Sequence, residues 1–400
     1  MPKLFSLPEI LVAGMLCAGA SPAMAASCET GDFSGWLDDV RQEAAADGVS
    51  RAAIRSGLQG VTYDKRVISR DRRQGVFSQS FLAFSDKLVS KNRRQHGAAR
   101  LKKYAKTFQR IEKQFGVPGP VLTAFWGLET DFGAFQGDFQ TIRSLATLAY
   151  DCRRPDLFRP QLIAALKIID RGDLNASEMV GAWAGEIGQL QFLPGDYLES
   201  AIDYDGDGRR DLRKSAPDAL ASAANVIAKA GWRRGEPWLE EVKVPRDLPW
   251  EQADIAIQLP RSQWAKWGVR RADGGKLPAD GTQVSLLLPM GRKGPAFLAY
   301  PNFRVYLQWN ESLVYTTTAA YFATRLAGAP PVSRGNAPDT LSAAQTKELQ
   351  RLLMGLGYDV GKLDGIVGSK TRAAVKAMQI KFGLPADSYP TADLLRRLRG

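Results

Sequence analysis

Histidine is nearly missing from this chain: among 400 residues there is only His96. It lies in Lys91-Asn-Arg-Arg-Gln-His-Gly97, a run so polar that a solvated surface position is expected. A Ser-His-Asp or Cys-His arrangement would depend on that one residue, and a zinc site with two histidines is excluded. No GxSxG, GxGxxG or phosphate-loop segment stands out either. Long apolar runs are also lacking. The stretch from Ile10 to Ala20 is too short to span a bilayer, and no later segment is long enough, so no transmembrane segment is expected. Cysteine is scarce, with Cys17, Cys28 and Cys152 making the full set.

Read together, Lys3, the apolar stretch and the small-x-small pattern Ala23-Met-Ala25 predict a secretory signal over 1–25, cut ahead of Ala26. Export would remove Cys17 and leave Cys28 and Cys152 as one possible disulfide, the alternative being two free thiols. A lipid anchor through Cys28 is disfavoured, because Ala25-Ala-Ser-Cys28 lacks the leucine of a lipid-attachment box. The net charge of +12 suits an anionic polymer or a membrane surface outside the cell, and export argues against nucleic acid as the partner.

Three segments carry chemistry. In Val121-Leu-Thr-Ala-Phe-Trp-Gly-Leu-Glu-Thr-Asp-Phe-Gly133, a helix would put Phe125, Trp126, Phe132 and Gly133 at i−4, i−3, i+3 and i+4 from Glu129. Aromatic neighbours withdraw water, so the Glu129 pKa should rise, allowing the carboxyl to donate a proton near neutral pH. The same pattern also fits a glutamate at a helix end with its tip in solvent. Ala184-Gly-Glu-Ile-Gly-Gln-Leu-Gln-Phe-Leu-Pro194 offers the Gln189 and Gln191 amides to sugar N-acetyl and hydroxyl groups, or is simply a buried tight turn with polar fill. Asp203-Tyr-Asp-Gly-Asp-Gly-Arg-Arg-Asp211 has the ligand spacing of a calcium loop. Asp203, Asp205, Asp207 and Asp211 would supply carboxylates there, and Arg209 a carbonyl. Lys214 stands where the bidentate glutamate is usual, so Asp218 is the candidate for that place. The ion would be structural, with no cofactor for catalysis; an acidic surface turn is the alternative.

Along the chain, helical patterns are expected over Gly35–Ala45, Ala99–Phe115, Leu145–Tyr150, Leu162–Ile169, Ala216–Ala230 and Glu311–Leu326. Ile255–Leu259 and Val284–Leu288 read as strands, and Ala296–Trp309 as mixed. Residues 329–339 have linker composition. Beyond them Ser342 and Gln345 form a capping box, followed by three amphipathic helices marked by Leu349, Leu352, Leu353 and Leu356, by Ala374, Val375, Met378 and Phe382, and by Leu394, Leu395 and Leu398.

Together the Glu129 segment, the Gln191 turn and the calcium loop resemble the B-type lytic murein transglycosylases, the MltB-like family, over residues 30 to 328. That resemblance makes Glu129 the match to the acid/base and puts Gln191 and Phe192 on substrate-contacting positions. Trp309-Asn-Glu-Ser-Leu-Val-Tyr315 is similar to a late family segment, which would place Asn310 and Tyr315 beside the catalytic carboxyl. Arg153 and Arg154 resemble a basic pair that meets peptide or sugar. Ala182, where some members carry serine, and Trp309, in place of tyrosine, depart from the pattern. Residues 340–398 resemble a small peptidoglycan-binding domain through Leu356-Gly-Tyr-Asp-Val-Gly361, Asp364-Gly-Ile-Val-Gly368 and Thr371-Arg-Ala-Ala-Val375, with Met378-Gln379 in place of Phe-Gln.

The resemblance implies a mainly α (α+β) protein: a lysozyme-like helical catalytic domain over 26–328 with a small strand-containing subdomain, a linker at 329–339, and a three-helix peptidoglycan-binding domain over 340–400. It implies an exported, periplasmic enzyme, a monomer, acting on peptidoglycan. Glu129 would protonate the bond between N-acetylmuramic acid and N-acetylglucosamine, then act as base for the muramoyl 6-hydroxyl to give 1,6-anhydro ends. Asp131 or Glu186 as a second carboxylate would instead make a muramidase that uses water. An inactive wall-binding protein is the non-enzymatic alternative.

Overall fold

The computed structural model describes residues 32–72 and 79–400, so the expected signal segment and Cys28 lie outside the described residues. Cys152 is disulfide-bonded, and the other two cysteines, Cys17 and Cys28, both fall outside that range. Contacts divide the chain into two compact units.

The first unit takes in the described residues up to Arg72 and then 125–226. Its centre is the pair of helices Thr141–Tyr150 and Pro155–Asp170, the second opened by Pro155, whose missing N–H costs nothing at a helix start. Leu145, Leu162 and Leu166 are completely buried between them, each contributing about 2 kcal/mol relative to exposure. Helices Arg51–Leu58 and Pro194–Ser200 pack against the longer of the two. A two-stranded ribbon pairs Phe139 with Gly181 and Gln140 with Val180. That ribbon fastens the loop after Glu129 to the start of the glycine-glutamine segment.

In the second unit, helices Phe81–Leu88, Lys91–Lys103, Ala105–Phe115, Pro301–Trp309 and Leu313–Leu326 accompany an antiparallel sheet. Its strands run Leu259–Pro260, Gln283–Leu287, Ala296–Ala299, Leu239–Lys243, Arg270–Arg271 from edge to edge. Trp264, Val284, Leu286 and Leu298 are fully buried on it. Two expectations change here. The pattern over Ala99–Phe115 is cut at Tyr104, which ends one helix and opens the next. Ile255–Leu259 is turn at Ile255–Ala256 and irregular at Ile257–Gln258, with only Leu259 in a strand, while the charged segment Leu239–Lys243 pairs on both sides.

Within the same unit the C-terminal helices Ala343–Gly355, Ser369–Lys381 and Ala392–Arg399 close over Leu349, Leu353, Val375 and Leu394. The capping box forms as expected, with Gln345 N donating to Ser342 Oγ (3.2 Å) and Ser342 N to Gln345 Oε1 (2.9 Å). Leu356 is 52% exposed rather than core, because the helix ends before it. The segment 329–339 is tied down by Ser333 N donating to Glu241 (2.7 Å), Asn336 N to the Lys293 carbonyl (2.7 Å), and an Arg334–Asp86 ion pair (2.9 Å).

Candidate active site

Glu129 occupies the last turn of helix Gly119–Thr130 and is half-buried, next to buried Phe125, Trp126 and Leu128. The helix stops one residue later. Asp131, Phe132 and Gly133 all adopt left-handed backbone (φ 51°, 63° and 86°), so Phe132 and Gly133 are not the i+3 and i+4 helical neighbours expected. Two successive non-glycine residues in this region cost roughly 1–2 kcal/mol each. The turn is held by Phe132 N donating to the Trp126 carbonyl (3.1 Å) and Phe135 N to the Thr130 carbonyl (2.9 Å). Phe132 still reaches the Trp126 ring, edge-on at 5.7 Å.

The glycine-glutamine segment provides the brace. Ile187 and Phe192 exchange backbone hydrogen bonds (2.8 and 2.9 Å) across a tight turn. Gly188 has φ +83°, and a side chain there would lie 2.6 Å from the Leu212 carbonyl oxygen. Gln189 is 5% exposed; its Oε1 accepts from the Trp126 indole (3.0 Å), and its Nε2 donates to the Arg213 carbonyl (3.1 Å). Its own carbonyl accepts from Thr130 Oγ1 (2.6 Å), which in turn accepts from Gly133 N (2.9 Å). The Gln189 amide, expected to meet sugar, is hydrogen-bonded within the protein to Trp126 and the Arg213 carbonyl. Gln191, itself at φ +54°, donates through Nε2 to the carbonyls of Gly188 (2.9 Å) and Gln136 (3.3 Å). Among the described residues its Oε1 accepts no hydrogen bond from the protein. Phe192 is buried (5%).

The basic pair sits elsewhere in this unit. Both Arg153 (2.6 Å) and Arg154 ion-pair with the buried Asp71, which joins the end of helix Lys65–Arg72 to the turn before Pro155. Arg153 keeps an exposed side chain. In the second unit, Asn310 ends helix Pro301–Trp309 and accepts through Oδ1 from Ser312 N (2.9 Å), while Tyr315 in the next helix is 1% exposed. His96 is exposed, as expected.

In the acidic loop, Asp203, Asp205 and Asp218 bring carboxylate oxygens within 4.8 Å of one another. Asp218 is completely buried and accepts from Tyr204 N (2.8 Å), Asp205 N (3.2 Å) and Asp211 N (3.0 Å). Burial raises its pKa, against the lowering effect of those amides. Of the other expected carboxylate ligands, Asp207 accepts from Arg209 N (2.8 Å), and Asp211 from Arg213 N and Lys214 N (3.0 Å each). The Arg209 side chain reaches Asp173 and Glu178. Glu178 also holds Lys214 (2.7 Å), and that bond is the main reason its pKa falls to about 2. An all-oxygen donor set of three converging carboxylates suits a hard cation such as calcium.

A transglycosylase SLT domain model matches residues 32–324, and a putative peptidoglycan binding domain model matches 342–398. Among curated proteins, membrane-bound lytic murein transglycosylase B of Escherichia coli is 27% identical over 243 residues. The match takes in 59% of this chain and 64% of that protein, so the chain spans less than two thirds of its relative's length. Among solved structures, SltB3 from Pseudomonas aeruginosa, in complexes with NAG-anhNAM-pentapeptide and NAG-NAM-pentapeptide, is 41% identical with a TM-score of 0.86. That likeness covers 92% of this chain and 100% of the SltB3 chain. SltB1 from the same organism is similar in fold (24% identity, TM-score 0.64, covering 73% of this chain and 98% of that one).

Proposed function

The chain belongs to the transglycosylase SLT family and ends in a peptidoglycan-binding domain, and on that premise we propose that it is a lytic transglycosylase cleaving the β-1,4 bond between N-acetylmuramic acid and N-acetylglucosamine. The observation that carries this reading is the setting of Glu129: one half-buried carboxyl among apolar side chains in the last turn of a helix, braced through Trp126 and Thr130 by the buried Gln189. Helix-end carbonyls disfavour a negative charge, and apolar neighbours withhold water, so both favour a proton on that carboxyl.

Protonated Glu129 gives its proton to the glycosidic oxygen as the bond to the muramoyl anomeric carbon breaks. The muramoyl 6-hydroxyl then attacks that carbon, and its proton passes to the Glu129 carboxylate. The product is a 1,6-anhydro end, and the acid is restored without a second enzymatic carboxylate. In the first unit Gln191 Oε1 is a polar group left for glycan, with Phe192 shaping its surroundings and Arg153 offering its exposed guanidinium to an acidic stem peptide; in the second unit Asn310 and Tyr315 are the candidates that the family resemblance supplies. Asp203, Asp205 and Asp218 would hold calcium, which fixes the loop leading into helix Ala216–Lys229. The expected signal segment and the disulfide-bonded Cys152 support action in the periplasm, and no described helix is long and apolar enough to cross a membrane.

Mass analysis of products from digested sacculi tests this directly. Anhydro ends, lighter than reducing ends by one water, are expected. Reducing ends alone would establish a muramidase, and binding without any release a wall-binding protein.

A further inference from the structure

Phe135 is 63% exposed, the most exposed large apolar side chain among the described residues. A free aromatic face in water is unfavourable, and isolated examples on mobile loops need no explanation. This one is not on a mobile loop. Its amide donates to the carbonyl of Thr130, the residue after Glu129 (2.9 Å). The next residue, Gln136, donates through Nε2 to the carbonyls of Gly133 (3.2 Å) and Arg213 (3.0 Å), and its own carbonyl accepts from Gln191 Nε2 (3.3 Å). Two strained left-handed residues precede it, and the paired strand at Phe139 follows within four residues. Among the described residues no aromatic ring or cation meets the Phe135 ring. The loop is thus built to fix an aromatic ring in solvent, one hydrogen bond from the turn that carries the acid.

We propose that Phe135 is a stacking platform for a sugar ring of the glycan strand, a specificity-determining contact beside Glu129. The C–H face of a pyranose is the apolar surface such a ring recognises, and a prepositioned ring loses little freedom on binding. This rests on the glycan-cleaving reading above, but its test does not.

The experiment compares wild type with Phe135→Ala, Phe135→Leu and Phe135→Trp, using soluble uncross-linked glycan strands. Phe135→Ala should raise KM about threefold to tenfold with kcat kept, Phe135→Trp should restore it, and Phe135→Leu should not. An unchanged KM in Phe135→Ala, or full rescue by Phe135→Leu, overturns the platform. If the wild type cleaves nothing, the glycan-cleaving reading fails instead, and titration of the same strands still decides: weaker binding by Phe135→Ala upholds the platform, and equal binding overturns it. The melting temperatures should match throughout, since an exposed ring supports no core.

Discussion

The loop after Glu129 and the loop from Asp203 to Ser215 both contain left-handed backbone, at Asp131–Gly133 in one and at Gly206 and Gly208 in the other. They are held by different chemistry. Neutral groups brace the first: the Gln189 and Gln191 amides, the Thr130 hydroxyl and main-chain carbonyls. Around the second, carboxylates collect the amides, Asp203 accepting from Gly206, Asp207 and Gly208, and Asp218 from Tyr204, Asp205 and Asp211. The difference has a physical use. A charged brace next to Glu129 would change that residue's proton affinity with every shift in pH or salt, whereas amides hold it without titrating. Carboxylates suit the other loop, where converging oxygens can share a cation.

The largest expected effect is on the neutral side. Glu129→Gln should lower glycan cleavage by at least about a thousandfold, as removal of a general acid does, and keep binding to sacculi and the melting temperature. Equal clearance of sacculi by both proteins would place the acid elsewhere. On the charged side the loss should be structural. Asp218→Ala leaves three amides, one of them buried, without their acceptor, and should cost about 3 kcal/mol, read as a melting temperature roughly 5–10 °C lower. Chelator should lower the wild-type melt and leave the variant's unchanged; a wild-type melt indifferent to chelator, with no bound metal, would remove the cation from the comparison. Gln189→Leu should cost about 1–3 kcal/mol by removing the acceptor of the Trp126 indole, while the Arg213 carbonyl keeps its bond from Gln136. It should also lower kcat by loosening the turn, with no response to chelator. A kcat at the wild-type level would mean that the brace is dispensable.

What the sequence displayed and what it hid follow the same division. Ligand spacing made the acidic loop legible, and Asp218 was reached from the misfit of Lys214, because such loops are local in sequence. The capping box and the helix stripes were legible for the same reason, and so was the exposed His96. Gln189 looked like a sugar contact because its partner Trp126 lies 63 residues away, and nothing local announces that bond. The helix read past Thr130 into Phe132 because local pattern cannot foresee Thr130 being held by the Gln189 carbonyl. Strand Leu239–Lys243 was hidden by its charges: only Leu239 and Val242 are buried, and its place between two partners comes from the sheet, not from its own alternation. Ile255–Leu259 had the apolar residues of a strand, but a turn at Asp254–Ile257 takes its first half.

The smallest effect separates protons from cations. Asp64, also in the first unit, is a carboxylate brace with an arginine where a metal would be: it accepts from Arg66 N (2.8 Å), Nε (3.2 Å) and Nη2 (2.9 Å). The Arg66 hydrogen bond is the main reason its pKa lies below the usual 3.8. A lowered folded pKa means that the unfolded chain binds the proton more readily. The stability from this pair is therefore fully present above the ordinary aspartate value and is lost as pH falls from there through the lowered one. Arg66 is mostly exposed, so solvent screens the pair and its worth is at most about 1 kcal/mol. Asp64→Asn keeps an acceptor for Arg66 N but removes the charge. Its melting temperature should change less than the wild type's on acidification below about pH 4, and chelator should affect both proteins equally. Parallel acid responses would show that this carboxylate braces by geometry alone, as the amides beside Glu129 do.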